Sequence, residues 1–185
     1  MTTTDPTTPP APVAARHAAP RVGILMGSDS DWEVMSAAAQ RLEALGLTYE
    51  VTVTSAHRAP ERTATYASSA RQRGLQVLIA GAGLAAHLAG VVAAHTTLPV
   101  IGVPLHSGTL RGIDALLATV QMPPGVPVAT VAIGKAGAEN AAILAAQILA
   151  LHDEQLADRL TALKTELARQ VDEKDAQLKQ QRRRG

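Results

Sequence analysis

The sequence predicts an α/β domain, a mainly parallel sheet of five strands with helices on both faces, followed by one long C-terminal helix. Three observations carry this expectation. From Arg21 onward, short β-branched runs alternate with amphipathic stretches, and a parallel crossover needs a helix-length, right-handed connection. The 185 residues are enough for one compact domain with tails, at about 100–200 residues per domain. Hydrophobic residues are 46% and charged residues 18%, which supplies a core and leaves too little charge for a chain disordered throughout. The βα units are too few for an eight-fold barrel.

Residues 1–20 are Thr, Pro and Ala with hardly any periodicity. They lack the cationic start and apolar run of a secretory signal, so they read as a disordered leader on a cytoplasmic protein. Arg21–Met26 reads as the first strand, and a helix near Asp31–Leu45 ends on Gly46 as its C-cap. Thr48–Thr54 is the second strand. Its helix, Pro60–Arg73, starts with a proline whose missing N–H costs nothing in a first turn, and Gly74 caps it. Val77–Ala82, Val100–Val103 and Val126–Ala132 are the remaining strands, with helices near Leu84–His95, Leu110–Thr119 and Ala138–Leu151. All five strands read as buried. These units place the α/β domain at 21–151 and leave 152–185 as a C-terminal helix with a basic tail, Arg182-Arg183-Arg184. In that helix Leu156, Leu160, Leu163 and Leu167 form a narrow stripe that should pack on a neighbouring surface, naturally another subunit.

Composition excludes several functions. With no cysteine, thiolate zinc sites, iron–sulfur clusters and cysteine nucleophiles are ruled out. Aromatics are 2% (Trp32, Tyr49, Tyr66), which argues against a stacking platform for single-stranded nucleic acid and against an aromatic sandwich round a flavin. A net charge of +1, with both signs interspersed, provides no broad basic footprint for nucleic acid or an anionic membrane. No stretch reaches the 18 or more apolar residues of a membrane span. Any anionic ligand should be small.

In an open α/β sheet, ligands bind beyond the carboxyl ends of the strands where the strand order reverses. In a 2-1-3-4-5 order the loops Gly27-Ser28-Asp29-Ser30-Asp31-Trp32, Ser55-Ala56-His57-Arg58-Ala59-Pro60 and Gly81-Ala82-Gly83 are neighbours there. Ser30 with Glu33 reads equally as a capping box, whereas Gly27 and Ser28 lie outside that box and suit a phosphate cradle at a helix start. A carboxylate repels phosphate, so Asp31 is better matched to ribose hydroxyls and Asp29 to solvent. His57 beside Arg58 is the strongest local signal, a proton-transfer group that titrates near neutrality next to a permanent cation. Its plain alternative is a surface His–Arg pair. His87 and His95 fall on an apolar run and read as packing histidines; His17, His106 and His152 carry little signal alone. Gly81-x-Gly83-x-x-Ala86 imitates a dinucleotide fingerprint, but no acid follows before Asp114, so dinucleotide binding is discounted. A phosphoreceiver acceptor aspartate is absent from the third strand's end. Gly134-Lys135-Ala136-Gly137 lacks P-loop spacing, so ATP is not indicated.

Taken in order, Met26-Gly27-Ser28-x-Ser30-Asp31-Trp32, Ser55-Ala56-His57-Arg58-x-Pro60, Gly81-Ala82-Gly83-x-Ala85-Ala86-His87-Leu88, Val120-Gln121-Met122-Pro123 and Ala132-Ile133-Gly134 resemble the N5-carboxyaminoimidazole ribonucleotide mutase family of purine biosynthesis, of the class I PurE type. The resemblance covers about Arg21 to Leu151. It implies a flavodoxin-like three-layer αβα sandwich, a homo-octamer with sites at subunit contacts, no metal or organic cofactor, and functional coupling to the ATP-dependent carboxylase that makes the substrate. The implied reaction moves a carboxylate from the exocyclic nitrogen of an aminoimidazole ribotide to ring carbon 4. His57 matches the general acid/base. Ser28, Asp31 and Arg58 match substrate-binding positions, Ser30 and Ser55 the phosphate neighbourhood, and the Gly81-Ala82-Gly83 turn the backbone lining base and carboxylate, with His87 a further neighbour. Leu84 stands where the family usually has a third glycine, Ala89 where proline is usual, and Ala59 where threonine is usual. A side chain directly after the turn would narrow the base pocket. Two other readings stay open: a carboxylase that uses free CO2, and a non-catalytic nucleotide- or flavin-binding module of the same fold.

Overall fold

Strand β1 (Val22–Met26) is buried at every residue, as a strand covered on both faces must be. It pairs in parallel with β2 (Tyr49–Val53) and β3 (Val77–Ala82). With β4 (Val100–Pro104) and β5 (Ala129–Thr130), the sheet has the order β2-β1-β3-β4-β5, the order expected. The computed structural model describes residues 19–184; most of the expected leader, residues 1–18, lies outside the described residues. Helices α1 (Trp32–Ala44), α2 (Pro60–Ser69), α3 (Leu88–Ala94), α4 (Ile113–Val120) and α5 (Lys135–Ala150) follow the five strands in turn, and α6 (Glu154–Arg184) ends the chain.

Strand alternation divides the core between the two faces. Ile24, Ile79 and Ile101 pack with Met35 and Leu42 of α1 and with the alanines of α5, Ala138, Ala141, Ala142 and Ala145. Leu25, Leu78 and Ala80 pack on the other face with Ala67, Leu88 and Val92. The result is the three-layer α/β sandwich expected. Gly46 (φ +68°) occupies the left-handed turn that ends α1, as expected of a cap, whereas α2 ends at Ser69, short of the expected Arg73, and Gly74 (φ +94°) sits in the turn that leads on to β3. No described helix is long and apolar enough to cross a membrane.

Several elements differ from expectation. β2 is not buried: it is the sheet edge, and Val51 and Val53 stay exposed because only β1 flanks it. β5 shrinks to two residues, since Pro127 cannot donate to the ladder and Gly125 (φ +93°) turns the chain just before it. α3 begins at Leu88 rather than Leu84 because Leu84 itself is left-handed (φ +52°), and Arg111 (φ +52°) with Gly112 (φ +88°) delays α4 in the same way. α5 starts earlier than expected, at Lys135, and its first turn closes so tightly that a Cβ on Gly137 would overlap the carbonyl of Ala132. The leucine stripe of α6 begins inside this chain's own core, with Leu156 fully buried and Leu160 and Leu163 packed beside it, rather than on a separate surface.

Candidate active site

Met26 pairs with both Val53 and Gly81, and Ala82 pairs with Pro104, so the loops after β1, β2, β3 and β4 leave one edge of the sheet together. Between them lies a cleft of about 370 Å³, lined by Ser28, Asp31, Ser55, His57, Arg58, Gly83 and Ser107 with an apolar side of Ala82, Leu84, Ala85 and Leu88. Its position is the strand-order reversal, as expected for this sheet.

The β1 loop winds one tight turn at Asp29–Asp31 before α1. Ser28 is therefore the cap: its Oγ accepts from the Ser30 N–H at 3.4 Å, and its own N–H donates to Asp31 Oδ2 at 3.0 Å. This corrects the expected Ser30–Glu33 box, which would have needed the helix to begin two residues later. Ser30 Oγ sits 2.9 Å from Ser28 Oγ, supporting the loop without lining the cleft. Burial pushes the Asp31 carboxyl above the ordinary carboxylate range, against the backbone N–H groups of Ser28 and Gly27, which pull it down. Asp29 is exposed and accepts from the Ser28 hydroxyl and the Ser30 N–H.

The β2 loop is pinned beneath by a buried hydrogen bond between the hydroxyls of Thr54 and Thr63 at 2.8 Å. Above it, Ser55 Oγ accepts from the Arg58 N–H at 3.2 Å, and Arg58 Nη2 donates to the Gly27 carbonyl at 3.2 Å. Arg58 thus ties the β2 loop to the β1 loop and also lines the cleft. His57 Nε2 lies 2.8 Å from Nδ1 of His87, the two rings edge to face at 4.9 Å between centroids. One of these nitrogens must carry the proton and the other the lone pair, so the contact couples the tautomers of the two rings and orients the His57 ring.

The β3 and β4 loops close the far side. Gly81 is in the buried strand, not on the cleft: a Cβ there would come within 2.5 Å of Met35 Sδ, so its glycine serves the packing of α1 on the sheet. At Gly83 a Cβ would overlap Ser107 Oγ, so this glycine admits the β4 loop to the site. Ser107 Oγ is buried without a hydrogen-bond partner, which costs about 1–3 kcal/mol unless something bonds it. Leu84, left-handed at a cost of about 1–2 kcal/mol, reaches across to Gly108, where its Cδ2 would stand 2.8 Å from a Cβ.

Of the residues expected at the site, the structure brings Ser28, Asp31, Ser55, His57, Arg58, Ala82 and Gly83 to the cleft. Ser30 supports from behind, Gly81 packs, and His87, a packing residue by its apolar run and a site neighbour by the family resemblance, is exposed and paired with His57. Ser107 was missed. Nothing local marks it, because its role follows from a contact with Gly83, distant in sequence. Among the described residues, no three His, Asp or Glu side chains converge as a metal-binding set.

The AIR carboxylase family model matches residues 21–170. The chain is similar to a N5-carboxyaminoimidazole ribonucleotide mutase of Bacillus subtilis (strain 168), 61% identical over 141 residues, which cover 76% of this chain and 87% of that one. It is likewise 55% identical over 148 residues to the N5-carboxyaminoimidazole ribonucleotide mutase of Escherichia coli (strain K12), covering 80% of this chain and 88% of the other. Among solved structures, Treponema denticola PurE superposes with a TM-score of 0.77 at 31% identity, over 86% of this chain and 99% of that chain.

Proposed function

The chain belongs to the AIR carboxylase family, and from that premise we propose that it converts N5-carboxyaminoimidazole ribonucleotide into 4-carboxy-5-aminoimidazole ribonucleotide, an isomerisation in purine biosynthesis. The observation that most supports this is the meeting of a paired histidine, His57, with the cation of Arg58 and the hydroxyls of Ser28 and Ser55 in one cleft.

The roles follow from the chemistry of each group. Arg58, with Ser28 and Ser55, holds the ribotide phosphate, since guanidinium and hydroxyl donors match its oxygens. Asp31 uses one carboxylate oxygen on the Ser28 N–H and has the other for ribose hydroxyls. In the reaction, the carbamate C–N bond breaks as protonated His57 gives a proton to the exocyclic nitrogen, releasing CO2. The electron pair of ring carbon 4 then forms a C–C bond to that CO2, and the proton leaving carbon 4 returns to His57. One proton goes out and one comes back, so no net acid, base or ATP is consumed. Such general acid–base work contributes about 10²–10⁴-fold, and holding CO2 beside carbon 4 contributes through effective concentration. Ser107 Oγ supplies a free donor for the migrating carboxylate.

The substrate is a small ribonucleotide. A cytoplasmic homo-octamer with sites at subunit contacts, coupled to the ATP-dependent carboxylase that makes the substrate, belongs to the same proposal; the exposed apolar row Leu110, Ile113, Leu117 and Val120 supports subunit contacts. The test follows conversion of the carbamate, without ATP, in a pool of labelled bicarbonate. Product almost free of label at early turnover is expected. Substantial early label would mean that free CO2 is the substrate and the enzyme is a carboxylase.

A further inference from the structure

We propose that the outer half of α6 pairs antiparallel with the same segment of a second copy of this chain, about a two-fold axis near Arg169. At 3.6 residues per turn, Leu156, Leu160, Leu163, Leu167, Val171 and Leu178 fall within an arc of about 80° of the helix, with Lys174 the polar residue in the row. The row starts inside the core, where Leu156 is fully buried and Leu160 and Leu163 pack beside it. It does not stop where the domain does. From Leu167 to Arg182 every residue is exposed, a length of about 24 Å at 1.5 Å per residue, and Leu167, Val171 and Leu178 stand 43%, 65% and 56% exposed. The family match ends at residue 170, so Val171 and Leu178 lie past it.

The symmetry of the row identifies what covers it. In a two-fold antiparallel pair, residues equally far to either side of the axis face each other, and each flank of the row meets its own copy. With the axis at Arg169, Leu160 faces Leu178 of the partner subunit and Leu167 faces the partner's Val171, and both contacts recur by symmetry. Reversed on itself, the apolar row matches itself. The charges agree with this. Lys164 and Asp175 lie on one flank, Glu166 and Lys174 on the other, and the reversal brings Lys164 opposite the partner's Asp175 and Lys174 opposite the partner's Glu166, each within about two residues of register. Among the described residues, Lys164 and Lys174 form no ion pair within the chain. Asp175 is held by Lys179 at 2.6 Å, and a carboxylate can accept from a second donor as well. A parallel pair would instead set Lys174 against its own copy in the row. The domain also has a seat for the far end of the helix: a groove of about 170 Å³ between α5 and α6, lined by Ile143, Gln147, Leu160, Thr161, Leu163 and Lys164. The register sets the partner's Leu178 over Leu160, at this groove. This surface is separate from the apolar row on α4, so the pairing stands or falls independently of the octamer and of the reaction proposed above.

The chain has no cysteine, so single cysteines report the pairing without background. The experiment uses the full chain as Leu167→Cys, as Val171→Cys, and as the two variants co-expressed, each oxidised and run on a denaturing gel. Both positions are exposed, so the fold is expected to survive, and circular dichroism with a melting curve checks it. A disulfide forms only where Cβ atoms come to about 3.5–4.5 Å, so the crosslink reads the register. The co-expressed pair should give a disulfide-linked dimer several-fold more abundant than either variant alone, and adding Leu178→Glu to both should cut that yield several-fold. Equal crosslinking in the single-variant samples would mean a parallel or unregistered contact and overturns the proposal. Absence of a dimer from the co-expressed sample overturns it too, and leaves the row to some other occupant.

Discussion

Replacing His57 and His87 separately by asparagine tests the division of labour at the 2.8 Å contact between them. Asparagine keeps hydrogen-bonding capacity near the ring position but cannot titrate. Loss of a general acid–base group costs about 10²–10⁴-fold in rate, or about 2.7–5.4 kcal/mol at 1.36 kcal/mol per decade, so His57→Asn should reduce kcat to at most about 1% while ligand binding and assembly stay close to wild type. The His87 ring is paired with the ring of His57. Its hydrogen bond contributes about 0.5–1.5 kcal/mol if His57 is neutral in the transition state, or about 1.5–3 kcal/mol if it is imidazolium, corresponding to about 2- to 10-fold or about 10- to 150-fold in kcat. Both rings are exposed, so water can replace part of the lost bond and the smaller loss is expected. The assay is initial-rate formation of the carbon-4 carboxylate by its ultraviolet absorbance, with calorimetric binding of a ribotide ligand alongside. Retention of more than a few per cent of turnover by His57→Asn would remove the role assigned to it. Equal losses in both variants, with binding intact, would move proton transfer to the pair or to His87.

Arg58→Ala should weaken binding of a phosphorylated ligand far more than Arg58→Lys, because only guanidinium can clamp phosphate oxygens in a fork; equal affinities in calorimetry would place Arg58 outside the phosphate site. Ser107→Ala removes a hydroxyl that no other protein group bonds, so melting temperature should hold or rise while kcat/KM falls by about 10-fold, the loss of one hydrogen bond to a charged group; a lowered melting temperature with unchanged kinetics would make Ser107 structural. Gly137→Ala would push a methyl into the Ala132 carbonyl, backbone that cannot rotate away, at a cost of about 3 kcal/mol or more. For a chain of this size that lowers the melting temperature by about 6–12 °C, and a shift under about 2 °C would show that the α5 start relaxes freely. The Arg21 hydrogen bond to Asp153 at 2.8 Å holds the Asp153 carboxyl below its ordinary 3.8. A depressed native pKa adds stability above the unfolded value and loses it as pH falls through the native one, so Asp153→Asn should flatten the acid limb of melting temperature below about pH 4; parallel profiles for the two proteins would show the pair contributes nothing.

The layered fold was legible because alternation of βα units leaves few topologies once right-handed crossovers are required. The late starts of α3 and α4 share one cause, backbone conformations that residue type does not announce. Leu84 and Arg111 look like ordinary helix formers, yet each is left-handed and delays a helix. Pro127 is visible in the sequence, but only the ladder from Ile101 to Ala129 and Gly102 to Thr130 shows how much of β5 it removes. The site was legible through loops whose chemistry is local: Ser28, Asp31, Ser55, His57 and Arg58 lie close to a strand end. Ser107 was not, because its contact with Gly83 lies 24 residues away, and His87 entered only through the family resemblance, since a histidine on an apolar run reads the same whether it packs or faces a rim.

Several residues that break local rules gather near the cleft, while the unpartnered Arg41 Nε, Asp114 Oδ1 and Arg159 Nε belong to residues outside its lining. Leu84 and Arg111 in the left-handed region, the partnerless Ser107 hydroxyl and the carboxyl of Asp31 raised by burial all belong to the four loops round the cleft. Costs of this kind are kept where something is gained, and two of these violations have a matching use. Asp31 keeps a carboxylate oxygen for a ribose, and the Ser107 hydroxyl offers itself to a carboxylate in transit. The glycines mark the other half of the same design: Gly83 admits Ser107, and Gly108 admits Leu84. Enlarging either glycine should therefore impair turnover before it impairs folding, since what it displaces is a cleft side chain and not the sheet behind it.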